Sequence, residues 1–272
     1  MIILEFRTDI FSLDKPSSFK FNLIGAKLPN NKDVFFRAKQ KELVDQYSAA
    51  RIFIRETETN DWNHWFNPVE NEVADKAFKL IFRSYFYEAA LFYYNAIVDL
   101  SWTSCYVAVE FACSQNGQRV NMDGIKSIEE AAELLRSAER NVTSPTAETN
   151  PFIYLKNMCP EFAPAIDQII DFWNQFSSLE IRKRYNFCKH KGRPAYLEIE
   201  QLSPGRIMGF YMENKSTGEV TQLASDISDV RYSFSLEKAI EELRDFDDEV
   251  LFPYIEKLIN TIDGILQPSP MI

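Results

Sequence analysis

The residues best suited to chemistry in this sequence lie in one basic run, positions 179–193. This run contains six Lys or Arg residues and a single acid, Glu180. Arg184 and His190 are six positions apart, with Asn186 between them. On an α-helix this spacing places Arg184 and His190 about 240° apart and about 9 Å along the axis, on either side of the Asn186 face. An imidazole can transfer protons near neutral pH, and a guanidinium can bind phosphate through two hydrogen bonds.

The other polar residues of the run extend this arrangement. Arg182 shares a helical face with Asn186 and His190, at spacings of four and eight residues. We therefore take Arg184 and His190, with Asn186, Arg182 and Lys189 near them on the helix, as the residues of this run that could carry chemistry. The candidate substrate-binding residues are Lys183, Lys191 and Arg193.

A structural interpretation explains the same run. Basic residues in the last turn of a helix interact favourably with its dipole, and Gly192 suits the position after the helix. Such a helix end could equally bind the acidic C-terminal part of the chain or a partner protein. Because truncations near an exposed helix end rarely cost more than ~1 kcal/mol, we expect Arg184→Ala and His190→Ala to leave the fold intact.

Other catalytic patterns are missing from the sequence. It contains two histidines, His64 and His190, and neither HExxH nor paired CxxC, so we expect no metal site. We expect no cofactor, because no glycine-rich phosphate loop occurs. His64 lies in an aromatic segment, 60–68, and is interpreted as a loop or packing residue. Cys188 and His190 are two residues apart, about 200° around a helix, so they cannot form an intrahelical nucleophile–base pair.

Charge and cysteine usage limit the partners and the compartment. The net charge is −10, and the segment from 197 onward holds 15 acids against 6 bases, so general binding to nucleic acids or membrane surfaces is excluded. Charged residues interrupt the most apolar stretch, 78–113, and exclude a transmembrane span. The four cysteines form no CxxC pair and the first residues show no signal peptide, so we expect a cytoplasmic protein with reduced thiols.

The elements that position the basic run are predicted to be helices. Only 8 of the 272 residues are glycine, and apolar residues recur at helical spacing. We predict a mainly α fold, an antiparallel helical bundle in a single domain, 1–272. Its parts are an N-terminal extension and helix (1–66), the bundle core with the basic helix (67–192), a β excursion containing a hairpin (195–234) and a C-terminal helix (235–266).

The segment 78–111 is predicted to be the central helix. One apolar stripe contains Phe78, Phe82, Tyr85, Ala89, Phe92 and Ala96, and a second contains Phe86, Ala90, Tyr93, Ile97, Leu100, Ser104, Val107 and Phe111. Two stripes on one helix indicate burial on most sides. The aromatic density would also suit stacking on nucleic-acid bases, but the strict helical period favours core packing.

Local signals predict where the other elements begin. Ser127 and Ser235 are predicted helix N-caps, and Ser177 or Ser178 is predicted to start the basic helix. Alternation of apolar and acidic residues from 196 to 199 predicts a strand. The C-terminal helix is expected to kink or restart at Pro253.

Residues 184–190, Arg-Tyr-Asn-Phe-Cys-Lys-His, resemble the Arg-x4-6-His motif of the HEPN superfamily of compact helical bundles. The flanking residues 179–183 and 191–192 are similar to the usual surroundings of that motif, as is the aromatic and alanine-rich helix at 87–97. The resemblance covers about residues 70 to 192. Many catalytic members have a polar residue directly after the arginine, whereas this chain has Tyr185 there and Asn186 second.

The resemblance implies a metal-independent RNA endonuclease of the toxin or defence type, acting as a homodimer whose two motifs face each other. In that mechanism Arg184 and His190 are the candidate catalytic residues: Arg184 binds phosphate and His190 is the acid–base group. Asn186, Arg182 and Lys189 have supporting roles. RNA is then the substrate, and an antitoxin or another protein is an expected partner. The alternative is a non-catalytic HEPN-like helical protein that serves in dimerisation or partner binding. A phosphate-ligand pocket at the same helix is a third interpretation, but no glycine-rich loop supports it.

Overall fold

The computed structural model describes residues 34–59, 71–112, 127–141, 151–202, 210–224 and 231–266. Helices account for 82% of the described residues, which confirms the predicted mainly α fold. His64, the aromatic segment 60–68 and the extension before position 34 lie outside the described residues.

The described part of the chain contains helices and a few short strands. The helices are α1 (Val34–Glu56), α2 (Glu72–Ala112), α3 (Ile128–Asn141), α4 (Pro151–Met158), α5 (Ala163–Phe176), α6 (Glu180–His190), α7 (Leu197–Gln201), α8 (Leu236–Asp245) and α9 (Phe252–Leu266). A 3₁₀ turn (Pro160–Phe162) precedes α5, and a π-helical turn (Phe246–Leu251) joins α8 to α9. The strands are β1 (Ala195–Tyr196), β2 (Phe210–Glu213), β3 (Val220–Ala224) and β4 (Ser233–Phe234).

The 41-residue helix α2 is the centre of the bundle. It packs along α1 and also contacts each of the helices α3 to α9. Its most deeply buried face includes Tyr87, Leu91, Tyr94 and Val98, all of which are 0% exposed. Burial of such a continuous apolar face supplies the main driving force for assembly of the bundle.

The prediction that both apolar stripes of α2 are buried is wrong for the first one. Tyr85 is 49% exposed and Phe92 is 39% exposed, whereas Ala90 and Ile97 of the second stripe are 0% exposed. Helical periodicity shows that a face is apolar, but it does not show that a neighbouring element covers that face. The first stripe therefore remains accessible over part of its length.

A buried carboxylate joins three elements of the bundle. Asp247, in the π-helical turn, accepts hydrogen bonds from the Tyr47 hydroxyl of α1 at 2.5 Å and the Tyr94 hydroxyl of α2 at 2.8 Å. It also accepts one from Nη1 of Arg51 at 2.9 Å. A buried charge with this many donors is well compensated, so the contact fixes the relative position of α1, α2 and the turn.

Two predicted caps are confirmed by hydrogen bonds. The Ser127 hydroxyl accepts from the Glu130 amide at 3.2 Å, and the Ser235 hydroxyl accepts from the Lys238 amide at 3.2 Å. The prediction that Ser177 or Ser178 starts the basic helix is wrong. Both serines lie in the preceding turn, and α6 begins at Glu180 with Leu179 as its N-cap.

The β excursion is confirmed only in part. Strands β2 and β3 form the predicted antiparallel hairpin, and β1 pairs in parallel with β4. Of the segment 196–199, predicted to be a strand, Tyr196 lies in β1 but residues 197–199 belong to helix α7 instead. The physical reason is a long-range contact: Glu198 accepts hydrogen bonds from the Ser235 hydroxyl at 2.6 Å and the Leu236 amide at 2.8 Å, which ties this segment to the start of α8.

The described cysteines include both free thiols and a disulfide. Cys105 and Cys188 are free thiols, but Cys159 is disulfide-bonded, so the prediction of reduced thiols is wrong at that position. Sequence spacing cannot reveal two cysteines that the fold brings together.

Among the helices of the described residues, none is both long and apolar enough to cross a membrane. The same residues contain no cluster of His, Cys, Asp and Glu suited to hold a metal ion.

Candidate functional site

The basic run lies mainly on α6, which packs against α2 in the opposite chain direction. Arg182, near the start of α6, contacts Asn95, whereas Arg193, beyond its end, contacts Glu88 earlier in α2. Tyr185 is buried against this helix. These contacts orient the other faces of α6 toward α8 and toward solvent.

Arg184 is inside the protein, where it makes contacts within its own chain. Its side chain is 7% exposed, and Nη1 lies 2.6 Å from Oε2 of Glu242 on α8. The guanidinium also lies over the Phe234 ring, 4.6 Å from its centre. Burial acts to lower the pKa of Arg184, but Tyr87 and Glu242 outweigh it and the pKa is raised. The expectation that Arg184 lies near an exposed helix end is therefore wrong, because α8 and β4 cover it.

Arg182 is also held within the chain. Its Nη1 donates a 3.0 Å hydrogen bond to Oδ1 of Asn95, which is fully buried. The guanidinium lies 5.0 Å from the ring centre of Tyr185 and 5.3 Å from that of Trp173. Burial raises the pKa of nearby Asp99, and the positive charge of Arg182 acts in the opposite direction. Arg182 therefore helps to hold α6 against α2.

Arg193 connects the end of the basic run to α2. Its Nε lies 2.7 Å from Oε1 of Glu88, and it also donates to the Ser84 hydroxyl. The Tyr196 hydroxyl donates to the same Glu88 oxygen at 2.8 Å. The guanidinium lies 4.3 Å from the centre of the Tyr85 ring. Arg193 nevertheless keeps 37% of its side chain exposed, so part of its charge faces solvent.

The last residues of α6 have a different environment. Lys189, His190 and Lys191, which we call the exposed basic end, are all exposed to solvent. Within the described ranges, no carboxylate lies within 4.0 Å of any of the three. Asn186 is exposed one turn earlier, and Lys183 is exposed but paired with Glu180 at 2.6 Å. A phosphate or another anion can reach the exposed basic end without displacing an acid of the same chain.

Cys188 is not a nucleophile in this arrangement. Its thiol is half-buried beside Glu88, and burial together with that carboxylate raises its pKa to about 11. At neutral pH the thiol is therefore protonated, which makes it unreactive. The backbone ends the helix directly afterwards: the Lys191 and Gly192 amides both donate to the Phe187 carbonyl oxygen, and Gly192 has a φ of 123°.

The structure therefore divides the predicted site residues into two groups. Arg182, Arg184 and Arg193 bind polar groups of the same chain, whereas the exposed basic end and Asn186 face solvent. Arg184 and His190 lie on one helix as predicted, but only the imidazole is accessible. The catalytic role of the two residues stays a prediction.

Sequence reasoning did not identify the acidic and polar partners of the arginines. Glu242 is 58 positions from Arg184, and Glu88 and Asn95 are both on α2. The only sequence signal for Glu242 is the excess of acids in the C-terminal part of the chain, which could bind the basic run. Nothing in the local sequence distinguishes Glu242 from the adjacent Glu241, which is exposed.

Comparison of the chain with protein-family models, curated proteins and solved structures finds no match.

Proposed function

We propose that this chain is a HEPN-like helical protein that binds RNA phosphates at the exposed basic end of α6 and does not cleave the RNA. The observation that carries the proposal is the contrast within the basic run. Lys189, His190 and Lys191 are exposed and have no paired carboxylate among the described residues, while Arg184 is paired inside the protein. Adjacent cations on an acidic protein favour a polyanion as the ligand.

The burial of Arg184 argues for binding over cleavage. In the cleavage mechanism this guanidinium must contact the phosphate on which charge develops. Here that contact first requires separation of Arg184 from the Glu242 carboxylate 2.6 Å away and exposure of a guanidinium that the Phe234 ring covers. Phosphate binding at Lys189 and Lys191 requires no such rearrangement, because both side chains already face solvent.

The binding proposal is tested by the anisotropy of a labelled RNA at several salt concentrations. We expect the wild-type protein to bind, and Lys189→Glu/Lys191→Glu to lower the affinity about tenfold or more. In a plot of the logarithm of the binding constant against the logarithm of the salt concentration, the double variant should have a slope that is shallower by roughly 1.4. The matched control is Lys41→Glu/Lys215→Glu, which changes the net charge equally at exposed sites elsewhere. Equal losses in the two double variants, or no binding by the wild type, would contradict the proposal.

A second candidate function, metal-independent RNA cleavage across a homodimer, is favoured by one observation. His190 is solvent-exposed, and Asn186 is exposed one helical turn away. A two-fold dimer would bring two such imidazoles to one substrate, as an acid–base mechanism needs. A cognate antitoxin or another protein partner would belong to this function.

Cleavage is tested by incubation of labelled RNA with the protein in EDTA, together with light scattering to measure the assembly. This function requires a dimer, cleavage in EDTA and a loss of about 10²–10⁴ in rate for His190→Ala. Binding without cleavage supports the binding function instead. A monomer at tens of micromolar would exclude the two-fold mechanism.

A further inference from the structure

Two exposed aromatic rings of α2 lie beside cations of the basic run. Tyr85 is 49% exposed and Phe92 is 39% exposed. The Arg193 guanidinium lies over Tyr85, 4.3 Å from the ring centre. The Phe92 ring meets the Tyr185 ring edge-on, with 5.1 Å between the ring centres. The Lys189 Nζ atom lies 5.5 Å from the centre of that Tyr185 ring. Tyr85 therefore has a positive charge over its ring, and Phe92 contacts a ring that Lys189 lies beside.

We propose that Tyr85 and Phe92 form a stacking platform for unpaired bases of single-stranded RNA; this inference rests on the proposed RNA-binding function. The two residues are seven positions apart on one helix, which places them on the same face and about 10 Å apart along the axis. Bases of any sequence stack on aromatic side chains, and flanking cations hold the phosphates that connect them. Arg193 lies over Tyr85, and Lys189 lies beside Tyr185, the ring that Phe92 contacts.

The exposed area and the charge favour RNA over a second copy of this chain as the occupant. A standard protein interface buries about 800 Å² on each partner. A fully exposed aromatic side chain offers about 150–250 Å², so Tyr85, Phe92 and the 44% exposed Phe78 together present roughly 300 Å². The charged Arg193 also lies across the middle of this stripe, where an apolar dimer contact would have to desolvate it.

A platform for bases predicts a specific substrate preference. In a duplex the faces of the bases are covered by their neighbours, so only a single strand offers them to Tyr85 and Phe92. The phosphates are present in both forms and bind the exposed basic end alike. We therefore expect the protein to prefer single-stranded over double-stranded RNA of equal charge, and to have little preference for base identity.

The test compares a labelled single-stranded RNA with an abasic strand of equal length. The wild-type protein should bind the RNA with bases about 5- to 150-fold more tightly for each base that stacks. Tyr85→Leu/Phe92→Leu keeps apolar side chains but removes the rings, and it should abolish this difference while leaving abasic binding unchanged. The control is Tyr154→Leu, which removes a 62% exposed ring on α4 and should keep the preference.

The outcomes separate this inference from the RNA-binding function on which it rests. Binding to neither strand contradicts the proposed function itself. Equal binding to both strands, or a preference that persists in Tyr85→Leu/Phe92→Leu, overturns the platform and leaves phosphate binding. Light scattering gives a further outcome: the wild type is a dimer, the variant is a monomer, and the base preference is unchanged. In that case the aromatic stripe is a dimer interface and the inference is overturned. Circular dichroism confirms that each variant is folded.

Discussion

Removal of Glu242 should destabilise the protein far more than removal of the acid next to it. Glu242→Ala leaves the guanidinium of Arg184, whose side chain is 7% exposed and which lies over the Phe234 ring, without its carboxylate. An uncompensated buried charge costs about 3–5 kcal/mol of unfolding free energy. For a chain of this length, that loss corresponds to a fall in melting temperature of roughly 6–20 °C. Glu241→Ala removes an exposed carboxylate and should change the free energy by less than about 0.5 kcal/mol.

The reverse truncation should have a smaller effect, because the two partners differ in exposure. Arg184→Met leaves Glu242, whose side chain is 33% exposed, so water can hydrate the remaining carboxylate. The double variant Arg184→Met/Glu242→Leu should recover most of the stability lost in Glu242→Ala, since it leaves no buried charge. Urea unfolding followed by circular dichroism measures all four variants. Equal stability of Glu242→Ala and Glu241→Ala would refute the assignment of Arg184 to a buried structural pair.

Three further predictions concern other contacts of the fold, each measured by the same unfolding assay. Asp247→Ala removes the acceptor of three hydrogen bonds and should cost about 3–5 kcal/mol, whereas exposed Glu249→Ala should be nearly neutral. The pKa of Glu198 is lowered: burial acts to raise it, but hydrogen bonds at the start of α8 outweigh burial. Glu198→Gln should therefore cost about 1 kcal/mol at pH 7, and its difference from wild type should vanish as the pH falls through the lowered pKa, below 4.5. Gly192→Ala, at a φ of 123°, should destabilise by about 1 kcal/mol or more, while Gly264→Ala in α9 should stabilise by up to about 1 kcal/mol.

Local physics was enough to predict the mainly helical fold and two of the three predicted caps. Ser127 and Ser235 cap α3 and α8 as predicted because a cap depends only on residues within one turn of it. Residues 197–199 were predicted wrongly because their conformation depends on the contact of Glu198 with the start of α8, more than thirty positions away. Alternation of apolar and acidic residues carries no information about such a partner.

At the candidate site, too, the sequence predicts which helix carries a residue but not whether its side chain is exposed. The sequence placed Arg184 and His190 on one helix, and the structure confirms that placement. Whether each side chain faces solvent depends on which element packs over it, and α8 covers Arg184 but not His190. The exposure of Tyr85 and Phe92 was unpredictable for the same reason, because an apolar stripe has the same spacing whether or not it is covered.

The π-helical turn Phe246–Leu251 determines where this chain can change length. Leu243, just before the turn, and Leu251, its last residue, are both fully buried although they are eight positions apart. A regular α-helix would rotate Leu251 by about 80° from Leu243 over eight residues, but by only about 20° over seven. The turn therefore contains one residue more than a continuous helix needs. Deletion of exposed Asp248 or Glu249 would leave the packing faces of α8 and α9 aligned, whereas a deletion within either helix would rotate its apolar face by about 100°.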